Sequence, residues 1–160
     1  MPTIITNRPA RLEDTEFLIG CFLRSMFESI TACRGRWDET RERAQFVSQL
    51  DLNATRVIKA EDIDVGFIMC LQQSAALQIH TLCVAPEHQS RGIGSHVTME
   101  VVDRGLKAGQ DVVLSVLKTN PRAEALYRRL GFTVVEESEH HHHMKHIGTT
   151  PVRKSMTHAG

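Results

Sequence analysis

Apolar and polar positions change period several times along the chain, and each change marks an element. Residues 4–6 read as a short strand. Asp14 stands as a helix cap before Phe17, Leu18, Cys21, Phe22 and Met26, whose steps of three and four predict an amphipathic helix. A second helix is expected over 38–50, with Ala44, Val47 and Leu50 on its apolar side and Arg41, Glu42 and Arg43 on its solvated side. The arginine-rich residues 31–37 form the loop between them. The period then shortens: 56–60, 65–72 and 77–84 are β-rich runs separated by an acidic turn and by Ser74-Ala75, predicting three antiparallel strands in a meander. Pro86 ends the third. Gly92-Ile93-Gly94 opens a helix with Ile93, Val97 and Val101 at steps of four, and Gly109 stops it. A buried strand is expected at 111–117. Asn120-Pro121 starts a helix with Ala125, Leu126 and Leu130 inward, Gly131 closes it, and strands at 132–135 and about 141–147 follow.

Strands before and after helices in one short chain indicate a mixed α/β sheet rather than a bundle or a sandwich. At 160 residues the chain suits a single domain, assigned to 1–148, with 149–160 a loose tail by composition. Nineteen basic side chains balance nineteen acidic ones, which gives no global field toward nucleic acid or an anionic membrane, so charge recognition must be local. Cys21, Cys33, Cys70 and Cys83 lie far apart with no C-x-x-C pair, a pattern of free thiols in a reducing cytoplasm. No apolar run is long enough to span a bilayer.

The sharpest chemical signal is Gln89-Ser90-Arg91-Gly92-Ile93-Gly94, directly after a strand and at a helix start. A helix N-terminus presents unpaired N–H groups and partial positive charge, and glycines admit phosphate close to the backbone. It is no dinucleotide fingerprint, because Val97 stands where a third glycine would be, and it lacks the lysine ending of a P-loop. With its preceding strand this block resembles the acetyl-CoA motif of the GNAT superfamily of acetyltransferases. A second block, from Asn120-Pro121-Arg122 through Tyr127 to Gly131-Phe132, is similar to another family segment in the right order and on the expected element.

The resemblance implies a GNAT-type α/β fold: a mixed, mostly antiparallel sheet of six to seven strands with a splayed central parallel pair, flanked by about four helices. It implies an acetyl-CoA-dependent N-acetyltransferase that passes acetyl directly to the amine of a small molecule or peptide, with acetyl-CoA as co-substrate, no metal, and room for a homodimer. In family terms the main chain of Leu82, Cys83 and Val84 would pair with the pantetheine arm. Gln89, Arg91, Gly92, Ile93, Gly94 and Ser95 would hold the pyrophosphate, and Asn120 would hydrogen-bond the cofactor. Tyr127 would be the general acid toward the leaving thiolate, since a phenol is neutral at pH 7; a core tyrosine is the plainer alternative.

The resemblance places Gln78 where histone-acetylating members carry a glutamate, removing the usual carboxylate. His80, two residues on and so expected on the same strand face, is the candidate base, with a polar strand residue lining the cleft or an ordered water as alternatives. Cys83 is expected on the opposite face from His80, which argues against a Cys–His nucleophile. Acceptor binding falls to Phe22, Met26, Arg36, Trp37 and Gln78, although Trp37 has a second reading as a staple for the second helix. The run His140 to His143 alternates across a strand and so does not converge on one metal ion. A non-catalytic acyl-CoA-binding module with the same fold is the competing class, favoured by the missing carboxylate; a metal-responsive protein is the weaker third.

Overall fold

The computed structural model describes residues 2–147; the tail assigned to 149–160 lies outside them. Seven strands, β1 (Ile5–Pro9), β2 (Thr55–Ala60), β3 (Ile63–Gln72), β4 (Ala76–Val84), β5 (Asp111–Leu117), β6 (Thr133–Glu137) and β7 (His141–His146), form one sheet in the order β1-β2-β3-β4-β5-β7-β6. Every neighbouring pair is antiparallel except β4 and β5. Four helices cover it: α1 (Thr15–Arg34), α2 (Glu39–Gln49), α3 (Ile93–Ala108) and α4 (Pro121–Arg129).

Two apolar layers sandwich the sheet. On one side Ile93, Val97, Val101 and Val102 of α3 and Tyr127 of α4 pack with Ile58, Ile79, Val112, Leu114 and Met144. On the other, Leu18, Ile19, Cys21 and Leu23 of α1 and Phe46 of α2 pack with Val57, Phe67 and Cys83. Burial on both faces explains the unbroken buried run from Val65 to Met69 in β3. Gly66, within that run, pairs with Val84, and a Cβ there would sit 2.2 Å from the Cys83 carbonyl oxygen, so only glycine lets β3 and β4 approach.

The first two helices differ from expectation. Residues 31–34 belong to α1, which continues until Gly35 adopts φ +83° and donates its N–H to the Thr31 carbonyl at 2.8 Å, leaving only a short connection to Asp38. On α2, Ala44 and Val47 are exposed, and Glu42 and Phe46 are the buried pair. Phe46 wins that face because its ring stacks on Phe22 at 4.5 Å and meets Phe67 edge-on at 5.8 Å. Glu42, one turn earlier, follows it inward and lies 3.1 Å from Arg34, so it is no part of a solvated face. On α4, Ala125 is exposed and Tyr127 is the buried residue.

The start of α1 is fixed electrostatically. Arg8 grips Asp14 with two hydrogen bonds of 2.8 and 2.9 Å, and Asp14 also accepts the Arg11 N–H at 2.7 Å. The Arg8 hydrogen bond holds the Asp14 carboxyl below its usual range, at about 2. A carboxyl depressed in the folded state contributes stability that is present above its unfolded value near 4 and is lost as pH falls toward 2. Asp14→Asn should therefore melt below the parent at pH 7, and the gap between the two should close between about pH 4 and pH 2 in a thermal-denaturation series.

Candidate active site

The parallel β4–β5 ladder runs from Ala76↔Asp111 to Ile79↔Leu114 and stops there, while β4 continues to Val84 and β5 to Leu117. The two strands part into a V. A β-bulge sits at the fork: Met69 pairs with Thr81 and Cys70 with Ile79, so His80 has no partner on β3. Helix α1 spans the open end, tied to the segment after β4 by Arg24–Glu87 at 2.8 Å and to the segment after β5 by Thr119 Oγ1 donating to the Ser29 carbonyl at 2.7 Å. The open cleft between them, about 710 Å³, has a size suited to a cofactor site. Its walls include Gln78, His80, Leu82, Cys83, Asn120 and Tyr127 from the candidate set, with Phe22 and Met26 on α1 and Arg36 beyond it.

The bulge overturns one expectation. Leu77 and Ile79 before it and Leu82 and Val84 after it pack into the same layer, so side-chain parity switches at His80 and counting by twos fails across it. Cys83 faces α1, and strict alternation does not set it opposite His80. What disqualifies Cys83 as a nucleophile is burial, which pushes its thiol up to about 12 and keeps it protonated at neutral pH.

Beyond the V lies the phosphate-type loop. Ser90 and Gly92 take φ of +63° and +81°, turning the chain so that α3 begins at Ile93 with no side-chain cap. The N–H groups of the first turn, at Ile93, Gly94 and Ser95, are those an α-helix leaves without internal acceptors. A Cβ on Gly92 would meet no protein atom, and one on Gly94 only Leu126 at 3.5 Å, so the fold alone does not require glycine at 94. The loop itself is braced. The Gln89 amide donates to the Val84 carbonyl at 2.8 Å and accepts from Arg122 at 3.1 Å, and Arg122 also reaches Ser90 Oγ. Gln89 thus locks the loop to β4. Arg122 was not singled out from sequence, because only the fold sets the N-terminus of α4 beside that of α3. Neither this loop nor Val84 lines the cavity.

Asn120 uses its side-chain oxygen to cap α4, accepting the Ala123 N–H at 3.2 Å, and also lines the cavity. Tyr127 is buried, edge-on to Phe132 at 5.7 Å, and burial raises its pKa, so the phenol stays protonated through neutral and alkaline pH. His80 contacts Thr81 Oγ1 through Nδ1 at 2.8 Å, and burial lowers its pKa, leaving a neutral imidazole at pH 7. Gln78 lies below the fork and accepts from Gln73 at 2.6 Å.

Trp37 does not line the cavity. It is half-buried and packs edge-on to Phe27 of α1 at 5.0 Å. The histidine run divides by face: His141 and His143 stack at 6.2 Å, with His143 against Ser115 Oγ at 2.6 Å, while His142 lies 3.4 Å from Glu124. His140 and His141 reach the cavity wall, a role the sequence pattern did not indicate. Among the described residues no three His, Cys, Asp or Glu are placed to hold a metal ion, the four cysteines are free, and no helix is long and apolar enough to cross a membrane.

A seven-stranded mixed sheet with one splayed parallel pair, an uncapped helix start beside it and a tyrosine in the wall defines a GNAT-like acyltransferase fold. Residues 23–132 match the model of the Acetyltransferase (GNAT) family, and the chain belongs to that family. It is 42% identical over 55 residues to the N-alpha-acetyltransferase RimI of Mycobacterium tuberculosis, a match that spans 34% of either chain, so it covers about a third of this curated relative. Among solved structures, the PaiA N-acetyltransferase of Thermoplasma acidophilum in complex with coenzyme A superposes with a TM-score of 0.69 at 22% identity, covering 90% of this chain and 99% of that one. The ribosomal-protein-S18-alanine N-acetyltransferase of Escherichia coli gives 0.68 at 17% identity, over 92% and 96%. At these identities the two structures speak for the fold.

Proposed function

We propose that the protein is an acetyl-CoA-dependent N-acetyltransferase acting on the amine of a peptide or small molecule by direct transfer. The observation that carries this is the fork after Ile79 and Leu114, where β4 and β5 lose the ladder between them, each keeping its outer partner, beside an uncapped helix start. Unpaired β4 groups suit an amide-bearing pantetheine arm, and the first-turn N–H groups of α3, with Arg91, suit its pyrophosphate. When bound, acetyl-CoA supplies the activated thioester. Tyr127 would donate a hydrogen bond or a proton at the leaving sulfur, and His80 Nε2, or water beside it, would take the proton released by the attacking amine. The partial match to an N-alpha-acetyltransferase supports a peptide N-terminus as the amine. The free thiols agree with a cytoplasmic setting, and residues 1–148 would form a single acetyltransferase domain.

Acetyl-CoA at about one hundred times its Kd should stabilise the protein by about 2.7 kcal/mol, a rise of roughly 5–10 °C in Tm, with NAD and ATP giving far less. In Gly94→Val the unliganded protein should melt near the parent, since only Leu126 bounds that position, yet the acetyl-CoA shift should vanish. An undiminished shift in this variant would remove the loop from the cofactor site. Release of CoA thiol with an amine panel then tests transfer itself.

A further inference from the structure

Many of the charged side chains described are paired, and two that are not line the cavity. Arg8, Arg11, Arg24, Arg34, Arg43 and Arg128 each contact a carboxylate. Arg36 and Arg41 make no hydrogen bond or ion pair through their guanidinium groups among the described residues, and both line the cavity at its α1–α2 corner. The two acids that line this corner each make a contact. An Asp38 side-chain oxygen accepts the Arg41 N–H to cap α2 at 3.1 Å, and Glu42 is buried against Arg34 at 3.1 Å. Elsewhere on the wall, His140 and His141 bring imidazoles from the start of β7. This corner therefore sets three guanidinium groups, those of Arg34, Arg36 and Arg41, against two carboxylates, Asp38 and Glu42, an excess of positive charge. Unlike Arg91, the exposed Arg36 and Arg41 line the same cavity as Tyr127 and His80.

Resting on the transferase reading above, we infer that Arg36 and Arg41 form an anion-binding corner for the acceptor, whose amine is accompanied by a carboxylate. Guanidinium groups pair with carboxylates in a bidentate geometry, and an unpaired couple at the mouth of a cavity both steers an acidic acceptor and rejects a basic one. The same chemistry is offered by a peptide with acidic residues after its first and by a free acidic amino acid.

The test is calorimetric, with the CoA-loaded protein, so that it does not depend on turnover. The probes are alanyl-aspartyl-glutamyl amide, alanyl-lysyl-lysyl amide and free glutamate. The acidic peptide or glutamate should bind about tenfold or more tightly than the basic peptide, and which of the two binds identifies the source of the carboxylate. The double variant Arg36→Gln/Arg41→Gln should lose that preference while keeping its Tm and its affinity for acetyl-CoA. Equal binding of acidic and basic probes, or acidic binding within about twofold of the parent in the double variant, overturns the inference. Acidic binding that is lost in the variant, without CoA release in a parallel thiol assay, upholds the corner and instead counts against the transferase reading.

Discussion

Tyr127→Phe should lower kcat by roughly a hundredfold or more while leaving the fold and acetyl-CoA affinity near the parent values. The ring is fixed by packing against Phe132 and by its place in the layer under α3 and α4, and phenylalanine keeps those contacts. Loss of the hydroxyl alone costs on the order of 1 kcal/mol of stability at most. The hydroxyl matters for chemistry because burial holds the phenol protonated well past neutral pH, so it can donate toward the sulfur as thiolate charge develops. It follows that the alkaline side of the kcat profile should show no fall near the ordinary tyrosine value of about 10. The check is kcat, Tm and acetyl-CoA affinity on both proteins with one acceptor. Turnover within a few-fold of the parent, with chemistry shown to limit the rate, would sink the general-acid assignment.

The second large effect lies away from the chemistry. Gly66→Ala places a methyl 2.2 Å from the Cys83 carbonyl oxygen and 3.0 Å from the Val84 Cα, and backbone on an internal strand cannot step aside locally. Overpacking of this kind costs on the order of 3 kcal/mol, so Tm should fall by roughly 6–12 °C. Because Cys83 is also cavity wall, the acetyl-CoA shift should shrink with it. Gly20→Ala is the matched control: a Cβ there meets nothing within 4 Å, and alanine inside α1 should raise stability by about 0.5–1 kcal/mol. A Gly66→Ala protein melting within about 2 °C of the parent would show that β3 and β4 can separate without loss.

Most of the fold was legible along the chain, and for local reasons. Glycines with positive φ at 92 and 109, proline at the first position of α4, and the period-four apolar stripe of α3 act within a few residues, so they define their elements without tertiary help. The strand 111–117 and the β2–β3–β4 meander were found for the same reason: 111–117 alternates buried Val112, Leu114 and Val116 with more open positions, and β3 is buried continuously from Val65 to Met69. The second motif block named Asn120 and Tyr127, and the strand leading into the first named Gln78, His80, Leu82 and Cys83, all of which line the cavity, whereas the glycine loop of the first block does not.

Other features depended on residues distant in sequence. The buried side of α2 was misread because Phe46 is drawn in by Phe22 and Phe67, and the carboxylate of Glu42 is tolerated inside only because Arg34 on another helix reaches it. The parity of β4 could not be counted, since the bulge at His80 is defined by its pairing with β3, and one inserted residue reverses every face beyond it. Trp37 was drawn off the cavity by Phe27, and Arg122 was recruited to the loop by the adjacency of two helix starts. Sequence by itself determined the elements and the chemical groups they carry, because propensity, capping and periodicity are short-range. Which of those groups share a cavity, and which charges in it stay unpaired, was decided only when the sheet brought the strands and helices together, because a partner's identity is a property of the space between elements.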